Sequence, residues 1–128
     1  MLRLPRHPAA WFAVFLVWLG ALWFLSSQPG VNAPPPFPHF DKFAHFSYFA
    51  AGGFLFAACH FRLQPGAPVW GKILASAIIA MALIGCLDEW HQCFTPGRSG
   101  ADPWDWLADL LGGAAGAFTL KALHHRLQ

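Results

Sequence analysis

Residues 87–106, LDEWHQCFTPGRSGADPWDW, form the most polar stretch of an otherwise apolar chain. They hold four of the six acids, together with a histidine, a glutamine and an arginine. What lies on either side decides the fold. Upstream, residues 69–87 are almost continuously apolar, and the pattern of Cys86 to Phe94 contains no helix breaker before Pro96. Downstream, residues 104–123 are apolar again, opened by Asp102-Pro103. Each segment approaches the ~20 residues that a helix needs to cross hydrocarbon.

Two further segments have the same character: residues 9–26, AAWFAVFLVWLGALWFLS, and residues 43–61. Membrane-crossing strands would alternate in polarity and close into a barrel, so helix is the expected conformation. The expected fold is therefore all-α and integral to a membrane, a compact bundle of four transmembrane helices over about 9–26, 43–61, 69–94 and 103–123. The first segment follows Arg3 and Arg6 as a signal sequence would, but it is long for a signal core and SSQPG is a poor cleavage site. It is expected to stay as a helix.

Composition agrees. Of the 128 residues, 56% are hydrophobic and only 11% charged, against about 25% charged in ordinary soluble proteins. The length allows one domain, residues 1–128. A formal charge of +2 without a basic aromatic stripe argues against nucleic acid as a partner. The cysteines Cys59, Cys86 and Cys93 follow no zinc-ligand or CxxC spacing. Cys86 and Cys93 would stand roughly 10 Å apart along a helix, too far for a disulfide.

The linker SSQPGVNAPPPFPHFD is proline-rich and expected to be extended, and Pro65-Gly66 punctuates the second connection. Lysine and arginine set the orientation. Arg3, Arg6, Arg62, Lys72, Lys121 and Arg126 fall on one side, Lys42 and Arg98 on the other. This split places both termini in the cytoplasm. All six acids, Asp41, Asp88, Glu89, Asp102, Asp105 and Asp109, then lie at the outer end.

Helical spacing puts Gly85, Asp88, Glu89 and Gln92 on one face, and allows His91 to sit beside Asp88. A carboxylate at membrane depth is costly unless paired, neutral or wet, which makes this face a functional candidate. Asp102 before Pro103 reads as an N-cap, and Asp105 can lean back towards it. Asp109 lies one turn deeper, beyond the reach of capping, above Gly112, Gly113 and Gly116, which permit close helix approach. Asp41 is a candidate N-cap of the second helix, with His45 one turn in. Arg98 could complement a helix end, pair with Asp102 or clamp a phosphate, and Lys42 could assist it or snorkel to headgroups.

Together SSQPG, DKFAHFSYF, DEWHQCFTPGRSG and DPWDWLADLLGGAAG, in this order over nearly the whole chain, resemble the VanZ-like membrane proteins. The resemblance implies a multi-pass protein of the bacterial cytoplasmic membrane, in a family whose founding member is associated with teicoplanin resistance. It points to Asp41, Lys42 and His45, to Asp88, Glu89 and Gln92, and to Arg98, Asp102 and Asp105. Asp109 stands where many relatives have asparagine.

Two like charges about 4 Å apart cost roughly 4 kcal/mol at an effective dielectric of 20, so six ionised acids need shared protons, ion pairs or a bound cation. One reading is an outward-facing site for a lipid headgroup or lipid-linked envelope precursor. There His45, Asp88, Glu89 and Asp105 would carry acid–base chemistry, with or without a divalent metal ion. Asp41, Lys42, Gln92, Arg98, Asp102 and Asp109 would bind the substrate. The alternatives are a non-catalytic binding or scaffold module with a structural polar network, or a proton-coupled transporter. The last needs a homo-oligomer, because four helices are few for transport.

Overall fold

The computed structural model describes residues 5–30, 33–64 and 66–126. Arg3 and Pro65, used above for orientation and for the second turn, lie outside the described residues. Four helices follow one another: α1 (Pro8–Ser26), α2 (Phe40–Arg62), α3 (Trp70–Gln92) and α4 (Pro103–Leu123), with a short 3₁₀ turn at His124–Arg126. The chain is an all-helical four-helix bundle.

The polar continuation of the third helix is as expected, and α3 runs through Asp88 and Glu89 to Gln92 before turning at Cys93. The start of α4 also follows the sequence signal, since the Asp102 side chain accepts from the Trp104 N–H at 2.8 Å and Pro103 occupies the first turn. The start of α2 does not. His39, in the left-handed region at φ 60°, stands at the cap and makes no side-chain cap bond, so Asp41 lies inside the first turn. Its carboxylate is directed to Lys42 instead.

Small residues set the spacing of the bundle. A Cβ on Gly112 or Gly116 would collide with the carbonyls of Phe46 and Ala50, and one on Gly53 with the carbonyl of Gly113. The backbones of α2 and α4 therefore touch, as small-residue helix interfaces permit. On the other side of α2, the Trp18 ring of α1 fills the space where Gly52 would carry a side chain. Trp18 and Tyr48 lock this contact reciprocally: the indole N–H donates to the Tyr48 carbonyl at 3.1 Å and the phenol to the Trp18 carbonyl at 2.7 Å.

Two apolar clusters fill the interior. Trp11, Ala57, Ala58, Phe61, Ile73, Ala77, Ala117 and Leu120 occupy one end, and Phe15, Trp18, Phe49 and Met81 the middle. The outside is apolar too. Val17, Leu83, Leu87, Trp90, Trp104 and Phe118 are each more than half exposed. Soluble domains rarely expose apolar surface so continuously, whereas lipid accepts it. Among the described residues, two helices, Pro8–Ser26 and Trp70–Gln92, are long and apolar enough to cross a membrane.

Candidate functional site

The loops between successive helices reverse the chain, so the end of α1, the start of α2, the end of α3 and the start of α4 meet at one end of the bundle. That end holds every acid of the chain. They fall into two groups, stacked along α4.

The first group is solvent-proximal. Lys42 Nζ donates to Asp41 at 2.7 Å, Asp102 at 3.0 Å and Asp105 at 2.8 Å. One ammonium thus joins α2 to the cap and first turn of α4. Its three N–H donors have three acceptors, so Lys42 is a structural clamp rather than a side chain snorkelling to headgroups. Asp105 leans towards Lys42 and not back to the cap. The Lys42 ammonium, with the Trp104 N–H second, holds the Asp102 carboxyl below the usual carboxylate range.

The second group lies one turn deeper. Asp88, Glu89 and Asp109 are all buried, Asp109 completely. His45 meets Asp109 through Nδ1–Oδ1 at 2.8 Å, and its Nε2 stands 3.7 Å from Asp105 Oδ2. Gln92 donates to Asp88 Oδ2 at 2.9 Å, and Glu89 Oε2 accepts the Asp102 backbone N–H at 2.9 Å. The face predicted for α3 is therefore the one that turns inward, with Gly85 beneath it. A Cβ on Gly85 would stand 2.9 Å from Asp109 Oδ2 and 3.1 Å from its Cβ, so the aspartate packs directly on the α3 backbone. The structure brings His45, Asp88, Glu89, Gln92 and Asp109 together directly, and Asp105 links them to Asp41, Lys42 and Asp102.

Arg98 meets a helix end, that of α1, and His91 does not sit beside Asp88. The Arg98 Nε donates to the Gln28 carbonyl at 3.0 Å and its second guanidinium nitrogen to the Leu25 carbonyl at 2.9 Å; no bond to Asp102 forms. The fork adds donors to the carbonyl end of α1, where the backbone N–H groups of Ser27 and Gln28 already bond to the last turn. His91 turns away from Asp88 to stack on Trp23, ring centroids 3.7 Å apart, and its Nδ1 lies 3.1 Å from Ser26 Oγ. Thr95 Oγ1 adds a bond to the Ser26 carbonyl at 3.0 Å, and the Gly30 N–H one to the Pro96 carbonyl at 3.0 Å. The two Pro-Gly loops cross so closely that a Cβ on Gly30 would strike the Gly97 carbonyl. Ser26 and Tyr48 belong to the site's walls, and Thr95 braces Ser26 from behind. Their signal was faint, a hydroxyl at the end of an apolar run and a lone tyrosine.

A cleft of about 150 Å³ opens between α1, α2 and α3, lined by His45, Asp88, Gln92 and Arg98 and by Leu22, Leu25, Ala44 and Phe49. A second, of about 320 Å³, runs on the far side of the acids between α3 and α4, lined by Glu89, Asp102, Cys86, Cys93, Trp90 and Trp106. Asp88 and Glu89 form the partition between them.

An apolar-skinned helical bundle with a buried acid–histidine cluster at one end defines a class of polar-headed membrane bundles. A family model described as VanZ/LLP1 matches residues 7–124. The chain belongs to the VanZ/LLP1 family, which, with the two long apolar helices, points to a membrane protein related to teicoplanin resistance. No curated protein and no solved structure matches it.

Proposed function

We propose that the chain spans the bacterial cytoplasmic membrane four times with both termini cytoplasmic, and that its acid-rich outer end receives the headgroup of a lipid or lipid-linked envelope precursor. The observation that carries this reading is the two-sided lining of the α1–α2–α3 cleft. Leu22, Leu25 and Phe49 offer an apolar wall for acyl or prenyl carbon, while His45, Asp88, Gln92 and Arg98 converge beside it. Few ligands other than an amphiphile match both. The N-termini of α2 and α4 open at the same end, and helix N-termini favour phosphate.

The four-span arrangement is supported by the outward faces of α2 and α4. Trp104, Leu111 and Phe118 recur every seventh residue of α4 and are all exposed, as are Phe43 and Phe46 of α2. The acids and His45 of these helices are turned into the bundle. In the orientation, Arg6, Arg62, Lys72, Lys121 and Arg126 gather at the end opposite the acids, which the positive-inside rule assigns to the cytoplasm. His45, held by Asp109, and Asp88 both line the cleft and face a bound headgroup.

Native mass spectrometry of the detergent-solubilised protein with phosphatidylglycerol, phosphatidylethanolamine and a polyprenyl phosphate tests the reading. One lipid bound per chain is expected, with occupancy falling about tenfold in Asp88→Asn and Gln92→Ala, as for lost polar anchors. Equal occupancy in these variants and wild type would leave only annular lipid. Topology is checked separately: a cysteine at Ser99, with Cys59, Cys86 and Cys93 replaced, should react with an impermeant maleimide from outside intact spheroplasts.

The clamp around Lys42 favours a second reading, in which the acids are a polar network fixing helix register. It accounts for Asp41, Asp102 and Asp105, but not for Asp88 and His45 in the lining of a cleft.

A further inference from the structure

The two acid groups differ in how their charge is balanced. In the outer group the oxygens of Asp41, Asp102 and Asp105 lie within 4.8 Å of one another, and the Lys42 ammonium sits among them. The inner group has the same density of ligand atoms. One atom each from His45, Asp88, Glu89 and Asp109 lie within 4.8 Å of one another, but no described lysine or arginine pairs with them. Arg98, the nearest guanidinium by position, donates to backbone carbonyls. Three carboxylates thus face a single imidazole in a buried place.

The free atoms point to what balances them. Each carboxylate is held through one oxygen: Asp88 by Gln92, Glu89 by the Asp102 N–H, Asp109 by His45. The other oxygens of Glu89 and Asp109 are buried without a hydrogen-bond partner, in residues 4% and 0% exposed. Folded proteins rarely leave an ionised oxygen so, since buried polar atoms are normally satisfied. Nδ1 of His45 lies against Asp109, the arrangement in which an acid orients a ligating imidazole, and Nε2 stands 3.7 Å from Asp105, outside a short hydrogen bond. An ion about 2.1–2.4 Å from its ligands keeps any two of them within about 4.8 Å.

We infer that His45, Asp88, Glu89 and Asp109 bind one divalent transition-metal ion, each offering one ligand atom. A mixed imidazole–carboxylate set suits Mn²⁺ or Zn²⁺ better than the all-oxygen shell that Ca²⁺ prefers. The ion would stand on the partition between the two clefts. This deepens the headgroup reading, on which it rests for its role: a cation there faces the phosphate of a bound amphiphile, where three uncompensated carboxylates would repel it.

The test uses metal alone. Purified full-length protein in detergent, stripped with EDTA, is titrated with Mn²⁺ near neutral pH and followed by electron paramagnetic resonance and by thermal unfolding. Expected are one Mn²⁺ per chain and a raised Tm, with affinity at least tenfold weaker in Glu89→Gln and in Asp109→Asn. Replacing His124 and His125 by alanine should change neither readout, excluding the terminal histidines as the site. No uptake by folded wild type up to about 1 mM Mn²⁺, the weak end of divalent-cation sites, overturns the inference. So does uptake that both carboxylate variants retain. Because lipid is absent from the titration and metal-free protein can be assayed for lipid binding, either idea can fail while the other stands.

Discussion

Asp109 on α4 meets His45 on α2 at 2.8 Å, and the carboxylate is wholly buried while the imidazole reaches a cleft. The contact exists because α2 and α4 touch through their backbones one to two turns below. An acid at this depth has a defined task, to hold the histidine.

Asp109→Ala should destabilise the protein by about 1–3 kcal/mol, since it leaves His45 half-buried without its partner. Asp109→Asn keeps a hydrogen bond and should cost clearly less. Thermal unfolding of the two variants in one detergent compares them, and equal losses would mean that the pair contributes packing only.

Lys42→Met removes the cation from three carboxylates and should lower stability by about 1–3 kcal/mol, a range reduced by the partial exposure of the ammonium. Adding Asp105→Asn, the most buried of the three partners, should restore part of the loss. A double-mutant cycle without such recovery would show that the clamp is not a coupled unit.

The lowered pKa of Asp102 gives a pH dependence whose sign is fixed. Its folded value lies below the unfolded one, so the contribution is complete above about pH 4 and is lost as pH falls through the folded value. Asp102→Asn, which keeps a good capping side chain, should flatten the acid limb of Tm against pH. An unchanged acid limb would separate Asp102 from the Lys42 clamp.

Glycine substitutions should divide by location. Gly116→Ala and Gly112→Ala set a Cβ against the Ala50 and Phe46 carbonyls and should cost about 1–3 kcal/mol or prevent assembly. Gly20→Ala and Gly71→Ala, with open space around them, should be neutral or slightly stabilising. Tm and monodispersity in detergent distinguish the sets.

Much of this was legible because hydrophobic length and helical spacing are local. They placed the four helices, extended α3 through its acids and turned Gly85, Asp88, Glu89 and Gln92 to one side. The Asp102-Pro103 cap is local too. What the spacing left open depends on register between helices. Lys42 found its three acids, and His45 found Asp109, only once Gly112 and Gly116 had brought α4 onto α2. His91 lies three residues from Asp88, close enough to face either way, and the Trp23 ring of α1 decided the matter. Arg98 went to the end of α1 because two Pro-Gly loops cross there, a meeting of segments nearly seventy residues apart.

The separation of Lys42 from Asp102 and Asp105, 60 and 63 positions along the chain, has a consequence for biosynthesis. While the ribosome is still adding α3, the second helix presents an ammonium whose distant counter-charges have not been made. A nascent chain halted before the last helix would therefore hold Lys42 with Asp41 as its one carboxylate partner of the three. Synthesis of the fourth helix and full pairing of the second helix's ammonium thus become the same event.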